Sequence, residues 1–446
     1  MNRHYALNFT MTLLPCAVLF CVPFVVASLP SPNDIYILTL DASDFSSCNT
    51  RTLWDILLSC WLTLFACTWT AIHPDIPRMG EGKVAITFRR LLLMVMALLG
   101  PEFVISWAAW QFLCARQVTK DFNDAFGAQH AKPHGDHRAV QQNEPAILLL
   151  DDISDSSKIS SAGWTLTHGF FAWMGGFMLY VDGKPRATLT PDELLQFVRE
   201  GSVEMPVITE ADIEDRSKGD VLSKSVAILQ LVWFIIARYA QHLPVTLPEI
   251  DTLGIAALTC IAYGLWWKKP KDVGRPYIVH WNSGTTTPPP RDSLANDKGH
   301  SALLILRSLL LDHRSGIRWS SGLTRGQIII TIIGGISGVL FGGIHCLGWN
   351  FLFPIHTEQT LWRVASIAIA YSFGVILSSY FMERLSIRFM RRRSVESQRY
   401  GIFTLMIYYI SARLTLIVLM MLSLRSLPPG AYDTVAWTSF FPHANL

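Results

Sequence analysis

Charge is scarce in this sequence: Asp, Glu, Lys and Arg together make 16% of 446 residues, with a net balance of +3. No basic tract is interleaved with aromatic residues, which excludes a nucleic-acid-binding surface. The familiar enzyme signatures are missing as well. There is no Gly-x-Ser-x-Gly nucleophile elbow and no His-Glu-x-x-His helix. The eight cysteines form no Cys-x-x-Cys pair and no zinc-like Cys/His spacing. Cys60, Cys67 and Cys260 lie in apolar blocks, where a thiol acts as a small hydrophobe. No cofactor is implied. Beyond residue 27 there is no Asn-x-Ser/Thr, so glycosylation does not report sidedness.

Apolar residues, by contrast, make half the chain, and the mean hydropathy is +0.31. They gather into blocks of roughly 18 to 25 residues, the length that crosses about 30 Å of hydrocarbon. The expected fold class is therefore all-α, a polytopic transmembrane helix bundle. Residues 1–27 read as a signal sequence, with Arg3 and His4, an apolar run from Met11 to Ala27 and a Val25-x-Ala27 cleavage pattern. An uncleaved anchor is the other reading of the same stretch. Seven strong spans follow: Leu53 to Ile72, Leu91 to Cys114, Ser225 to Gln241, Leu253 to Trp267, Gln327 to Phe351, Leu361 to Phe381 and Phe403 to Leu424. Trp164 to Val181, with His168 and three glycines, is a poorer eighth.

The expected organisation runs in order along the chain. A lumenal segment (28–52) precedes the first two spans (53–115). An extramembrane segment (116–224) is partly a solvated acidic-serine linker around Asp151 and Ser156, with a small helical part at 190–220. That part is signalled by Thr190-Pro191-Asp192-Glu193 and Thr209-Glu210-Ala211-Asp212, both helix-capping patterns. The third and fourth spans (225–267), a cytoplasmic linker (268–326) containing Pro288 to Pro290, the last three spans (327–424) and a tail (425–446) complete it. Arg89, Arg90, Lys268, Lys269, Lys271 and Arg391 to Arg393 mark cytoplasmic ends. Those ends do not fit simple alternation of seven spans. Either Trp164 to Val181 crosses or one span is re-entrant, and Pro101 makes the second span the one to break. The charge pattern then puts the C-terminus in the lumen.

Ionisable residues inside spans cost about 3 kcal/mol on insertion scales, so each needs a partner or a watery path. Asp55, Glu102, Arg238, Arg363 and Arg413 stand out. A Glu102–Arg413 ion pair would neutralise both. Alternatively, Glu102 beside the proline break faces a cavity as a proton donor or relay. Asp55 near a span start reads as a capping group. Gly334, Gly338 and Gly342 recur every four residues and form a helix-packing face. His345, Cys346, His356 and Glu358 are metal-binding types, but the two histidines stand eleven positions apart, and a structural histidine is the default. Cys48 and Cys346 fall on the same lumenal face in this topology, where they can pair.

Several stretches together resemble an uncharacterised family of multi-span membrane proteins from filamentous fungi. They are Cys48-Asn49-Thr50-Arg51-Thr52-Leu53-Trp54-Asp55-Ile56, His73-Pro74-Asp75-Ile76-Pro77, Gly100-Pro101-Glu102, Thr167-His168-Gly169-Phe170-Phe171, Arg216-Ser217-Lys218-Gly219-Asp220, Gly343-Ile344-His345-Cys346-Leu347-Gly348-Trp349-Asn350-Phe351 and Leu361-Trp362-Arg363. The resemblance implies a fungal source and a shared fold, with no activity attached. Three functions stay open: a non-enzymatic membrane component, scaffold or transport-related; an intramembrane enzyme with Glu102 as acid/base; and a seven-span receptor-like protein. For the enzyme, the substrate is an apolar lipid or terpenoid-like molecule, walled by tryptophans such as Trp69 and Trp107. The expected partner in every case is the lipid bilayer of a secretory-pathway membrane, namely endoplasmic reticulum, vacuole or plasma membrane.

Overall fold

The computed structural model describes residues 50–77, 81–130, 163–216, 238, 240–241, 243–282, 288, 323–387 and 395–434. The signal sequence, the linker around Asp151, Arg391 to Arg393 and all but a few residues of Ser225 to Gln241 lie outside them. In chain order the helices are α1 (Leu53–Ala71), α2 (Lys83–Leu99), α3 (Pro101–His130) and α4 (Leu166–Trp173). Strands β1 (Phe177–Val181) and β2 (Lys184–Thr188) follow, then α5 (Pro191–Arg199), α6 (Glu210–Asp215) and α7 (Leu247–Leu265). Strand β3 (Tyr277–His280) precedes α8 (Leu323–His345), α9 (His356–Ile387) and α10 (Val395–Ser423).

The described chain is mostly helical, and three of its helices are long and apolar enough to cross a membrane: Leu53–Ala71, Ile328–Gly348 and Thr404–Ser426. A fourth candidate is the α2–α3 pair, bent by 117° at its break. Seven or eight spans are not supported. Leu91 to Cys114 is broken at Gly100 and Pro101, as its proline predicts. Trp164 to Val181 is no span, because it divides into the eight-residue α4 and strand β1. Leu253 to Trp267 is part of α7, which starts earlier than its apolar run. Thr246 and Glu249 close a capping box there, with a proline in the first turn.

Burial separates these helices. On α1, α8 and α10 the exposed side chains include Trp54, Trp61, Phe65, Ile336, Val339, Leu414 and Val418, an apolar surface larger than a soluble monomer presents to water. Helix α7 is the reverse: 13 of its 19 residues are buried, among them Glu249, Asp251, Thr252 and Thr259. It packs on α1, α3, α8 and α10, so the polar groups of the bundle are turned inward.

Hydrogen bonds define the two ends of the bundle. At one end Arg51 pairs with Glu249 and donates to the Ala431 carbonyl, which brings together the starts of α1 and α7 and the segment after α10. Arg238 donates to the Asp433 and Pro244 carbonyls at the same end. At the other end the loop after α7 meets the loop after α1, through Lys269 to Asp75 (2.8 Å) and Lys271 to the Thr70 carbonyl (2.9 Å). Both arms of the bent pair return to this second end: Arg90 of α2 pairs with Asp272, and Gln111 of α3 accepts from Lys269. The pair is thus a hairpin with its vertex inside the bundle.

A second core lies beyond that end. Phe122 of α3 stacks on Trp164 at 3.8 Å, and Phe171, Phe177, Leu179, Leu194, Ile213 and Val279 close around them. Its sheet has the order β2-β1-β3, with β1 antiparallel to β2 and parallel to β3. Within 190–216 the chain forms the two helices α5 and α6, and the strands before and after that part pack with them into a mixed α/β subdomain. The supposed linker from Lys268 is packed as far as residue 282, because β3 completes the sheet. Both capping boxes, Thr190 with Glu193 and Thr209 with Asp212, are formed and start α5 and α6.

Candidate functional site

The site is built around the vertex between α2 and α3. Pro101 has no N–H to donate, so it suits the first position of α3 and ends α2 before it. The break leaves carbonyls at the end of α2 without helical partners. Helix α10 supplies them: Arg413 Nη2 donates to the Leu98 carbonyl (2.9 Å), and the Tyr409 hydroxyl donates to that of Leu99 (3.2 Å). At the break Gly100, Pro101 and Glu102 are buried, whereas Leu99 is exposed. Tyr409 also meets the Phe103 ring edge-on.

Glu102, one residue past the break, is fully buried. Its carboxyl oxygens meet strict hydrogen-bond geometry with none of the described residues, and the Tyr409 hydroxyl, which also faces the Leu99 carbonyl, is the group within hydrogen-bonding reach. Tyr409 and Arg413 are its polar neighbours. The expected Glu102–Arg413 ion pair is not the one formed. Arg413 is instead bidentate to Asp251 on α7, through Nη1 to Oδ1 (2.5 Å) and Nη2 to Oδ2 (3.2 Å). His345 at the end of α8 joins them, with Nε2 at 2.9 Å from Asp251 Oδ1 and 3.3 Å from Arg413 Nη1. Its Nδ1 lies 2.8 Å from the Phe341 carbonyl. Four helices therefore each contribute one ionisable side chain: Glu102 from α3, Asp251 from α7, His345 from α8 and Arg413 from α10.

Small residues let those helices approach. A Cβ on Gly334 would lie 2.4 Å from Ser106 Oγ of α3, and one on Gly342 would lie 2.6 Å from Ala370 Cβ of α9. Gly338, between them, is buried as well. Across the α7–α8 contact, Gly254 faces Phe341, whose carbonyl holds His345. The glycine face thus sets the position of the His345 ring.

A second buried polar knot closes the far end. Lys269 is fully buried and donates to the His73 carbonyl (2.7 Å), Asp75 (2.8 Å) and Gln111 Oε1 (3.0 Å). Trp266 Nε1 donates to the same Gln111 oxygen (2.8 Å). Burial lowers Lys269 from the ordinary lysine range, and Asp75 opposes that. Arg90 stacks on Trp69 at 3.8 Å, and Lys269 lies 5.6 Å from the Trp107 ring. The two tryptophans expected to wall an apolar substrate are occupied by the protein's own cations.

The remaining candidates are placed apart. Asp55 closes the capping box with Thr52 at the exposed start of α1. Glu358 pairs with Arg425 at 2.8 Å, and Arg363 stacks over Trp349. Cys346 is a free thiol, and Cys48 lies outside the described residues. Among the described residues, no three His, Cys, Asp or Glu side chains converge as metal ligands. The sequence reading missed Asp251, which it left outside its fourth span. The Thr246-Leu247-Pro248-Glu249 capping pattern was the signal that α7 begins early enough to include it.

Fold and site together define a mostly helical protein with membrane-length apolar helices and an ionisable cluster at an interrupted helix. The chain belongs to a family of unknown function, DUF8562, whose model matches residues 28–287 and 327–444. Comparison with curated proteins and with solved structures finds no match.

Proposed function

We propose that this chain is a non-enzymatic integral membrane protein of the secretory pathway, and that its role is transport-related. The α2–α3 hairpin is read as a re-entrant element, entering and leaving at the end marked by Arg90 and Lys269. The observation that carries the reading is this interrupted helix with four ionisable side chains at its vertex. Discontinuous helices whose ends meet near the midplane are how many secondary transporters build their substrate and ion sites. Each arm between the vertex and the polar end, residues 90–100 or 101–111, spans about 15 Å at 1.5 Å per residue, about half a bilayer core.

A re-entrant hairpin also supports the orientation implied by the basic residues, since Arg89, Arg90 and Lys268 to Lys271 gather at one end. That end, with the α/β subdomain beyond it, is assigned to the cytoplasm, and the end at Arg51 and Asp433 to the lumen. The enzyme alternative loses its proposed wall at Trp69 and Trp107. The receptor alternative rested on a span count that the described helices do not give.

The test is thiol accessibility in the full-length protein with its native cysteines replaced, after checking that thermal stability is retained. Single cysteines at Lys83 and Lys120 should label from the same side with an impermeant maleimide. Cysteines at Leu99 and Phe103, beside the vertex, should react with a small charged thiosulfonate. Labelling of the two arms from opposite faces would refute the re-entrant hairpin. A vertex reached from neither side would leave a closed scaffold.

A further inference from the structure

The geometry points to one exchangeable proton held by the Glu102, Asp251, His345 and Arg413 cluster, and we propose that it passes between His345 and Glu102. The inference rests on the transport reading and names the coupling ion, a proton. It starts from the imidazole. A carbonyl oxygen only accepts, so the 2.8 Å contact with Phe341 requires a hydrogen on His345 Nδ1. The other nitrogen, Nε2, faces two different partners. Asp251 Oδ1, at 2.9 Å, accepts, and Arg413 Nη1, at 3.3 Å, donates. A doubly protonated ring is therefore satisfied by Asp251, and a singly protonated ring by Arg413. Few buried histidines have a matched partner in both states.

Glu102 is the complementary group. A buried carboxylate whose one nearby donor, the Tyr409 hydroxyl, is shared with the Leu99 carbonyl is poorly solvated, and a proton removes that cost. The charges then balance in two arrangements. With the proton on His345, two cations face the two anions Asp251 and Glu102. With the proton on Glu102, the Arg413–Asp251 pair stands alone between two neutral groups. Neither arrangement leaves uncompensated charge in the bundle, so the move avoids the penalty that normally forbids it. In the transfer the Nε2–H bond breaks, its electron pair stays on nitrogen, and an O–H bond forms on Glu102. The carrier in this proposal is a single water molecule beside Arg413, the side chain that neighbours both groups.

Apart from the Tyr409 hydroxyl beside Glu102, the surrounding elements add no ionisable group to the cluster among the described side chains. Helix α2 supplies the Leu98 and Leu99 carbonyls, α9 supplies Trp362 Nε1 to the His345 carbonyl, and α10 adds the Tyr409 hydroxyl. Glu249 of α7 is paired with Arg51 at the end of the bundle.

Infrared difference spectroscopy of the full-length protein in phosphatidylcholine vesicles, recorded between two temperatures at one pH, tests this, because the two arrangements hold the same number of protons and differ only in where one proton sits. The expected result is a carboxylic-acid carbonyl band and an imidazolium ring band that exchange in equal amounts. E102Q should abolish the acid band and the temperature response of the imidazolium band. His345→Gln should leave the acid band fixed. Glu102→Asp, should the glutamine variant not fold, should keep the acid band at a displaced frequency. An acid band unchanged in E102Q, or unmoved in Glu102→Asp, overturns the proposal. So does a carboxyl band that keeps its full temperature response in His345→Gln. The two readings fail separately: a vertex open to thiol reagents without band exchange refutes only the proton, whereas exchange with an inaccessible vertex refutes transport.

Discussion

Lys269 and Arg413 are both buried cations in one helical bundle, yet their surroundings differ in kind. Lys269 donates to three oxygens, and its carboxylate partner, Asp75, is 16% exposed at the bundle's end. Arg413 lies deeper, shares Asp251 with a histidine and caps the open end of α2, while its Nε finds no partner of good geometry. The first arrangement is closed, with each ammonium hydrogen matched to one oxygen. The second has more partners than one geometry can satisfy, which is what a site with two states requires. A buried cation is thus not in itself a functional sign; the surplus of alternatives around it is.

The comparison can be broken by mutation. Arg413→Ala leaves Asp251 charged and buried and uncaps the Leu98 carbonyl. It should cost about 3–5 kcal/mol, the usual penalty for breaking a buried pair from one side. Thermal unfolding of the purified protein in detergent reads this as a large fall in Tm. Lys269→Met should cost less, about 2 kcal/mol, because Asp75 can reach water once its partner is gone. Equal losses for the two variants would remove the distinction drawn between the clusters.

Outside the bundle, Glu210 accepts from Thr167 and from Lys268 and so ties α6 to α4 and to the end of α7. Burial raises its carboxyl, but the Thr167 and Lys268 hydrogen bonds outweigh that and hold it below the ordinary glutamate range. The unfolded state then binds more protons across that window, so this contribution is complete above the ordinary value of about 4.3 and is lost as pH falls through the lower folded value. Hydrogen exchange in α6 should accelerate over that interval, and Lys268→Ala should narrow the response. The smallest effect belongs to E102Q, which exchanges a carboxyl for a neutral amide of the same shape. Its stability should fall by about 1 kcal/mol, because the buried amide carries N–H groups that need acceptors. A fall as large as that of Arg413→Ala would mean that Glu102 works as a buried anion.

Much of the bundle was legible in the sequence. Apolar blocks announced α1, α8 and α10, Pro101 announced the break, and threonine capping patterns announced α5 and α6. The hairpin was also written there: Asp182 and Gly183 both adopt positive φ (50° and 73°), and Asp-Gly between β-prone residues is a strong two-residue turn signal. It was overlooked because the run from Trp164 to Val181 is apolar enough to compete as a helix. Strand β3 was illegible for another reason. Four residues after a lysine-rich loop become a strand only because β1 offers an edge brought from about a hundred positions away. The Arg413 partner was hidden likewise, since nothing local to Arg413 distinguishes Glu102 from Asp251. That choice is made by which helices the glycine face of α8 allows to meet.

Helix α3 runs unbroken for 30 residues from the vertex into the second core. At 1.5 Å per residue it is about 45 Å long, so a tilt of about 5° pivoting at Gly100 sweeps its far end through about 4 Å. The aromatic stack on Phe122 rides on that beam. One continuous helix thus joins Glu102 to the second core, so a displacement at either end is a displacement at the other.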